Sequence, residues 1–153
     1  MAGGVRMVDV SSKPVTVRTV EARGFVRLRR ETLEAIREGR VPKGDVLTVA
    51  RVAGVMAAKR AWELVPLAHP ISIEHVEVDV NVADGGLEVV ARVKSVARTG
   101  PELEALAAVM GALLAAWDMV KQLEKDERGL YPESEITGIR VTFKSKEPLE
   151  TQG

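Results

Sequence analysis

An α+β fold, an antiparallel sheet with its helices on one face, follows from three features of the sequence. Val76, Val78, Val80 and Val82 alternate with polar residues, as do Leu87, Val89, Ala91 and Val93 beyond the turn ADGG, which is the pattern of a half-buried hairpin. In TGPELEALAAVMGALLAAWDMVKQLEKD, apolar residues recur at Leu103, Leu106, Ala107, Met110, Leu113, Leu114, Trp117 and Val120, the spacing of one helical face. A second Ala- and Val-rich run, DVLTVARVAGVMAAKRAWEL, predicts another long helix.

Each element follows in order. Residues 1–22 read as an N-terminal arm, because MVDVSSKPVTVRTV is rich in Val and Thr but broken by Pro14. A single domain is expected over 23–146. RGFVRLR supplies a strand, and RETLEAIREG a short helix with Leu33 and Ile36 on its inner face and Gly39 at its stop. GRVPKGDV is a loop ending on the helix cap Asp45, and the helix after it spans about 46–64, since the residue before Pro66 avoids helical geometry. In ISIEHVEVDVNV the alternation changes phase after Ile73, which predicts a bulge near His75. The hairpin and the central helix come next. Thr99 and Glu102 have capping-box spacing, and Pro101 suits a first helical position. ERGLYPESE is a polar loop, ITGIRVTFK a last strand through Ile139, Val141 and Phe143, and 147–153 a frayed tail. This order is the split βαβ sandwich of ferredoxin-like folds.

The central helix is apolar nearly all round, because Ala105, Ala108, Gly111, Ala112 and Ala115 line a second face. Its uncharged run, 105–117, is well short of the roughly 20 residues a membrane span needs, so the second face is expected to meet protein. Glu104 and Asp118 lie fourteen residues apart, ~21 Å along the axis, too far to share one small site within one copy. Small residues around Gly111 would let two copies of the helix cross antiparallel, bringing Glu104 of one opposite Asp118 of the other.

Composition narrows the chemistry. With 22 basic and 22 acidic residues there is no electrostatic case for a nucleic-acid or membrane surface, and the absence of cysteine removes thiolate chemistry and Cys-ligated metals. No secretory signal opens the chain, so a cytoplasmic protein is expected. Among polar residues, His69 lies in PLAHP, where it serves either the loop or proton transfer. Lys59 in AAKRA is a solvated helix lysine or a functional one. Lys43 in PKGD stands just before a helix start, where a phosphate would bind. Capping explains half of Glu102 and none of Glu104. Asp118 and Lys121, three apart, form a surface ion pair or a proton donor and acceptor.

Several strings occur together in one order: MVDVS with Lys13, Thr16 and Arg18, then PKGDV, ARVAG, AAKRAWELVPLAHP, TGPELEAL and WDMVK. From Met7 to Lys144 the chain resembles the cyclic pyranopterin monophosphate synthases of molybdenum-cofactor biosynthesis. The resemblance implies a lyase that rearranges a cyclised dihydro-GTP, 3',8-cyclo-7,8-dihydroguanosine triphosphate, into cyclic pyranopterin monophosphate and releases diphosphate. It implies a ferredoxin-like subunit in a homohexamer, a trimer of dimers with active sites at the subunit interfaces, and no cofactor, metal, nucleic acid or membrane. Carried over by motif, the catalytic residues are Lys59, His69, Asp118 and Lys121. The substrate contacts are Asp9, Arg18, Lys43, Glu102, Leu103, Glu104 and Lys144. Against the family pattern, Ala68 stands where LCHP has its cysteine, Leu103 replaces the methionine of TGVEMEAL, KSKEPLE replaces a glycine-rich KSGGKSG, and the loop ERGLYPESE is longer. Two other classes compete with the lyase. An RNA-recognition module would need aromatic platforms and a basic face, and aromatics are 3% of the chain. A ligand-binding or structural oligomer would keep the fold and lose the chemistry.

Overall fold

Long-range pairing extends the elements that local pattern places. The computed structural model describes residues 3–149, with the order β1 (Thr16–Arg27), α1 (Arg30–Arg37), α2 (Val46–Lys59), α3 (Ala61–Leu64), β2 (Ile73–Ala83), β3 (Gly86–Ala97), α4 (Glu102–Glu124) and β4 (Glu135–Pro148). The strands form one antiparallel sheet in the order β2-β3-β1-β4, the ferredoxin-like arrangement. Helices α2 and α4 lie together on one face of it. Between sheet and helices, Val20, Val26, Val80, Leu87, Val89 and Val93 meet Val109, Leu113 and Val120, all nearly inaccessible. Each such side chain stabilises the fold by about 1.5–3 kcal/mol.

Several ends differ from the sequence reading. β1 begins at Thr16 rather than Arg23, because residues 16–22 of the expected arm pair with Ala97–Ala91 of β3. Glu147 and Pro148 of the expected tail belong to β4, and 150–153 lie outside the described residues. The helix expected over 46–64 is interrupted at Arg60, where φ −119° and ψ 15° divide α2 from α3. Asp45 caps α2 as expected, accepting from the Thr48 amide. α4 differs: Pro101 occupies the cap position without a side-chain cap, so Thr99 and Glu102 form no capping box. The bulge near His75 is present as a register shift between Ile73 and His75.

A second bulge decides where β4 points its side chains. Glu21 pairs with Phe143 and Ala22 with Val141, leaving Thr142 as an extra residue. Ile139 and Val141 face the core, but the alternation then inverts, so Phe143 is exposed and Lys144 turns towards the helix layer. The expectation of Phe143 in line with Ile139 and Val141 is thereby corrected.

The small-residue face of α4 meets protein as expected, but within the same chain. Its small residues meet α2 of the same chain: a methyl on Gly111 would lie 2.6 Å from Ala57 Cβ, and one on Gly54 of α2 would lie 3.0 Å from the Ala108 carbonyl oxygen. Gly111 is therefore filled from within, and no second copy of α4 can cross there. The larger residues Leu103, Met110 and Leu114 are exposed, beside Val49, Val52 and Met56 of α2. α4 is long and apolar enough to cross a membrane by length and composition, yet Ala105, Ala108, Ala112 and Ala116 are wholly buried as core.

Candidate active site

The first turn of α4 and the loops around it enclose a cavity of about 330 Å³. Val8, Val10 and Lys13 of the N-terminal segment wall one side, Leu67, Ala68 and His69 a second, and Thr99, Gly100, Glu102, Leu103 and Glu104 the third. His69 Nε2 donates to the Val8 carbonyl at 2.6 Å, which fixes a proton on that nitrogen. Asp9 accepts from the Ser11 amide at 2.9 Å; that bond, the Ser11 hydroxyl and the nearby His69 hold its carboxyl below the ordinary range.

Two carboxyls two residues apart meet opposite fates here. Glu104 is 6% exposed. Burial pushes its carboxyl up to about 7, against the pull of its own backbone amide and helped by the charge on Glu102. For Glu102 burial also disfavours charge, but the Lys144 ammonium at 2.7 Å, its own amide and the Arg18 charge keep its carboxyl below the ordinary range. Gly100 makes this possible, since a methyl there would stand 2.5 Å from the Glu102 carboxylate. The bulge at Thr142 delivers Lys144, and Arg18 and Lys146 share the groove behind it. Asp9, Arg18, His69, Glu102, Leu103, Glu104 and Lys144 are thus brought together from four distant parts of the chain.

Lys43, Asp118 and Lys121 form a separate cluster near the far end of α4. Asp118 Oδ1 accepts from Lys121 at 3.2 Å and Oδ2 from Lys43 at 3.2 Å, while Lys43 also reaches the Asp118 carbonyl at 3.2 Å. Hydrogen bonds from Lys43, then Lys121, hold the Asp118 carboxyl below the ordinary range. Lys43 and Asp118 are exposed and Lys121 is half-buried. Lys59 joins neither cluster in the single chain; it lines a groove with Ile71, Ile73, Glu74 and His75. Among the described residues no group of three or more His, Cys, Asp or Glu could hold a metal ion.

The model of the MoaC family matches residues 7–147. A "Probable cyclic pyranopterin monophosphate synthase" of Aeropyrum pernix is 56% identical over 143 residues, covering 94% of this chain and 98% of that protein. A protein of the same name from Sulfurisphaera tokodaii is 49% identical over 141 residues, covering 92% of this chain and 93% of that protein. A "Probable cyclic pyranopterin monophosphate synthase accessory protein" of Methanothermobacter thermautotrophicus is 47% identical over 143 residues, 94% of this chain and 90% of that protein. The chain belongs to the MoaC family.

Within this MoaC-family chain, three features of the site escape a reading by motif. Lys13, quoted only as part of a string, lines the cavity itself. Glu124, 1% exposed, accepts from the Arg29 amide (3.0 Å), the Thr32 hydroxyl and the Ser134 hydroxyl (2.7 Å), and so fixes the end of α4 that carries Asp118 and Lys121. Its position as the last residue of an apolar helix was the one signal available. Trp117 and Tyr131 pack edge to face beside Lys121. Ala68 lines the cavity, so the wall there is a methyl group.

Proposed function

We propose that this chain is a cyclic pyranopterin monophosphate synthase of molybdenum-cofactor biosynthesis, a cytoplasmic lyase converting cyclised dihydro-GTP to cyclic pyranopterin monophosphate and diphosphate. The observation that carries the reading is the meeting of His69, Glu102, Leu103 and Glu104 at one cavity in a chain of the MoaC family. The rearrangement opens a purine ring and closes a cyclic phosphate, and both steps need protons moved by positioned groups. Glu104, protonated up to about pH 7, suits a donor at the same cavity as the His69 ring. Asp118 and Lys121 supply an ionised acceptor and an ammonium. Lys43, Arg18 and Lys144 offer cations to the phosphates, and Asp9, Glu102 and Leu103 complete the contacts. Lys59 serves as a further catalytic group.

The site is shared between subunits of a hexamer, a trimer of dimers. Support comes from the separation of Glu104 and Asp118, ~21 Å along one straight helix, and from the exposed stripe of Leu103, Met110 and Leu114 between them. An antiparallel crossing of two α4 helices near Met110 covers that stripe and sets the first turn of one against the Asp118 turn of its partner. The catalytic unit is the single ferredoxin-like domain, expected over 23–146 but with its sheet running from Thr16 to Pro148, and the segment before Thr16 closes its cavity. The RNA-binding alternative loses ground, because Glu21, Glu77, Asp79 and Glu88 share the outer sheet face with Arg23 and Arg92. Incubation of the protein with cyclised dihydro-GTP tests the assignment: pterin and diphosphate should appear in equal amounts, and unchanged substrate would refute it.

A further inference from the structure

The loop between α4 and β4 is clamped at both ends. Asp126 Oδ1 accepts from the amides of Arg128 and Leu130 at 2.8 and 2.9 Å, and the Asp126 amide donates to the Leu130 carbonyl at 2.8 Å, closing a turn around Gly129 at φ 80°. At the far end, Ser134 donates to Glu124 and Glu133 pairs with Arg29 at 3.4 Å. So anchored, the loop delivers Tyr131 onto Trp117, with ring centroids 4.8 Å apart and planes at 75°. One turn further along α4, the Lys121 ammonium lies 6.0 Å from the Trp117 ring and 3.2 Å from Asp118.

A half-buried lysine near a helix end has a long stem and many rotamers, and ordering it costs free energy. An aromatic wall on one side and a carboxylate on the other restrict it to few. Trp117 Nε1 is buried without a hydrogen-bond partner among the described residues, so the indole contributes its ring rather than its N–H. Two of the five aromatic residues in the chain are spent on this contact.

We propose that Trp117 and Tyr131 are positioning residues for the reaction: the clamped loop presses the tyrosine on the tryptophan, whose ring holds the Lys121 ammonium beside Asp118. The proposal rests on the role given above to Lys121. Steady-state kinetics on cyclised dihydro-GTP, run well below each variant's melting temperature, test it. Trp117→Leu should lower kcat about two- to fivefold, the equivalent of one exposed cation–π contact, with KM unchanged. Tyr131→Ala should lower kcat by about twofold. Trp117→Phe and Tyr131→Phe keep an aromatic ring and should retain most of the wild-type kcat. Wild-type kcat in both Trp117→Leu and Tyr131→Ala, with Lys121→Ala inactive, would overturn the proposal and leave Lys121 in the mechanism. Equal losses in the Leu and Phe variants of Trp117 would also overturn it, and wild-type turnover in Lys121→Ala would remove both ideas together.

Discussion

The two ends of α4 present carboxyl groups in opposite states. At the first turn Glu104 is enclosed, and desolvation holds its proton to about pH 7. At the fifth turn Asp118 is exposed, and two ammonium groups keep it ionised. The difference comes from surroundings rather than residue type: one carboxyl lost its water without gaining a cation, the other kept its water and gained two. One helix can therefore carry a proton donor and a proton acceptor into the same reaction, provided that two copies bring opposite ends together.

The largest effect should come from breaking the ionised end. Lys121→Ala and Asp118→Asn each remove a group to which proton transfer is assigned under the proposed function, and neither side chain is fully buried, so turnover should fall by about 10²- to 10⁴-fold with little change in melting temperature. Single-turnover rates and thermal melts on both variants check this.

A smaller effect sharpens the enclosed end. Because the folded-state pKa of Glu104 is raised, its contribution to stability is full below the ordinary value of 4.5 and is lost as pH rises to about 7. Solvent at the cavity mouth reduces that loss to about 1–2 kcal/mol. Glu104→Gln cannot ionise, so its urea midpoint should hold between about pH 5 and about pH 8 while that of the wild type falls.

Smaller still is the effect of loosening the link between Lys43 and Asp118. Lys43→Ala should weaken substrate binding about two- to fivefold, the value of one exposed charge contact, and high salt should weaken the wild type in the same sense. Asp118 also loses the larger of its two stabilising cations, so the acid limb of the rate profile should move to higher pH.

Local pattern carried the reading of the helices and the hairpin, and failed where distant pairing decides. Pro14 suggested an irregular arm, yet the strand starts at Thr16 because β3 and β4 offer partners on both sides. Nothing in ITGIRVTFKSK signals that Thr142 is an extra residue, and that bulge alone aims Lys144 at Glu102. The Ala and Gly face of α4 was legible as a surface for close approach, but periodicity cannot say whose helix approaches, and α2 of the same chain fills it. Of the site, the motif residues were legible as types. Their division between two ends of a helix followed from counting residues, whereas the neutral state of Glu104 needed the enclosing cavity, and the Tyr131 contact needed the loop's course.

Shared occupancy of one site by two subunits is most directly tested by complementation. Glu104→Ala and Lys121→Ala proteins, each inactive alone, are dissociated, mixed and reassembled, and verified mixed oligomers are assayed for pterin formation. Some interfaces then hold one site with both groups intact, and part of the wild-type activity should return. Zero recovery in verified mixed oligomers would place both ends of α4 in separate roles and contradict the shared site.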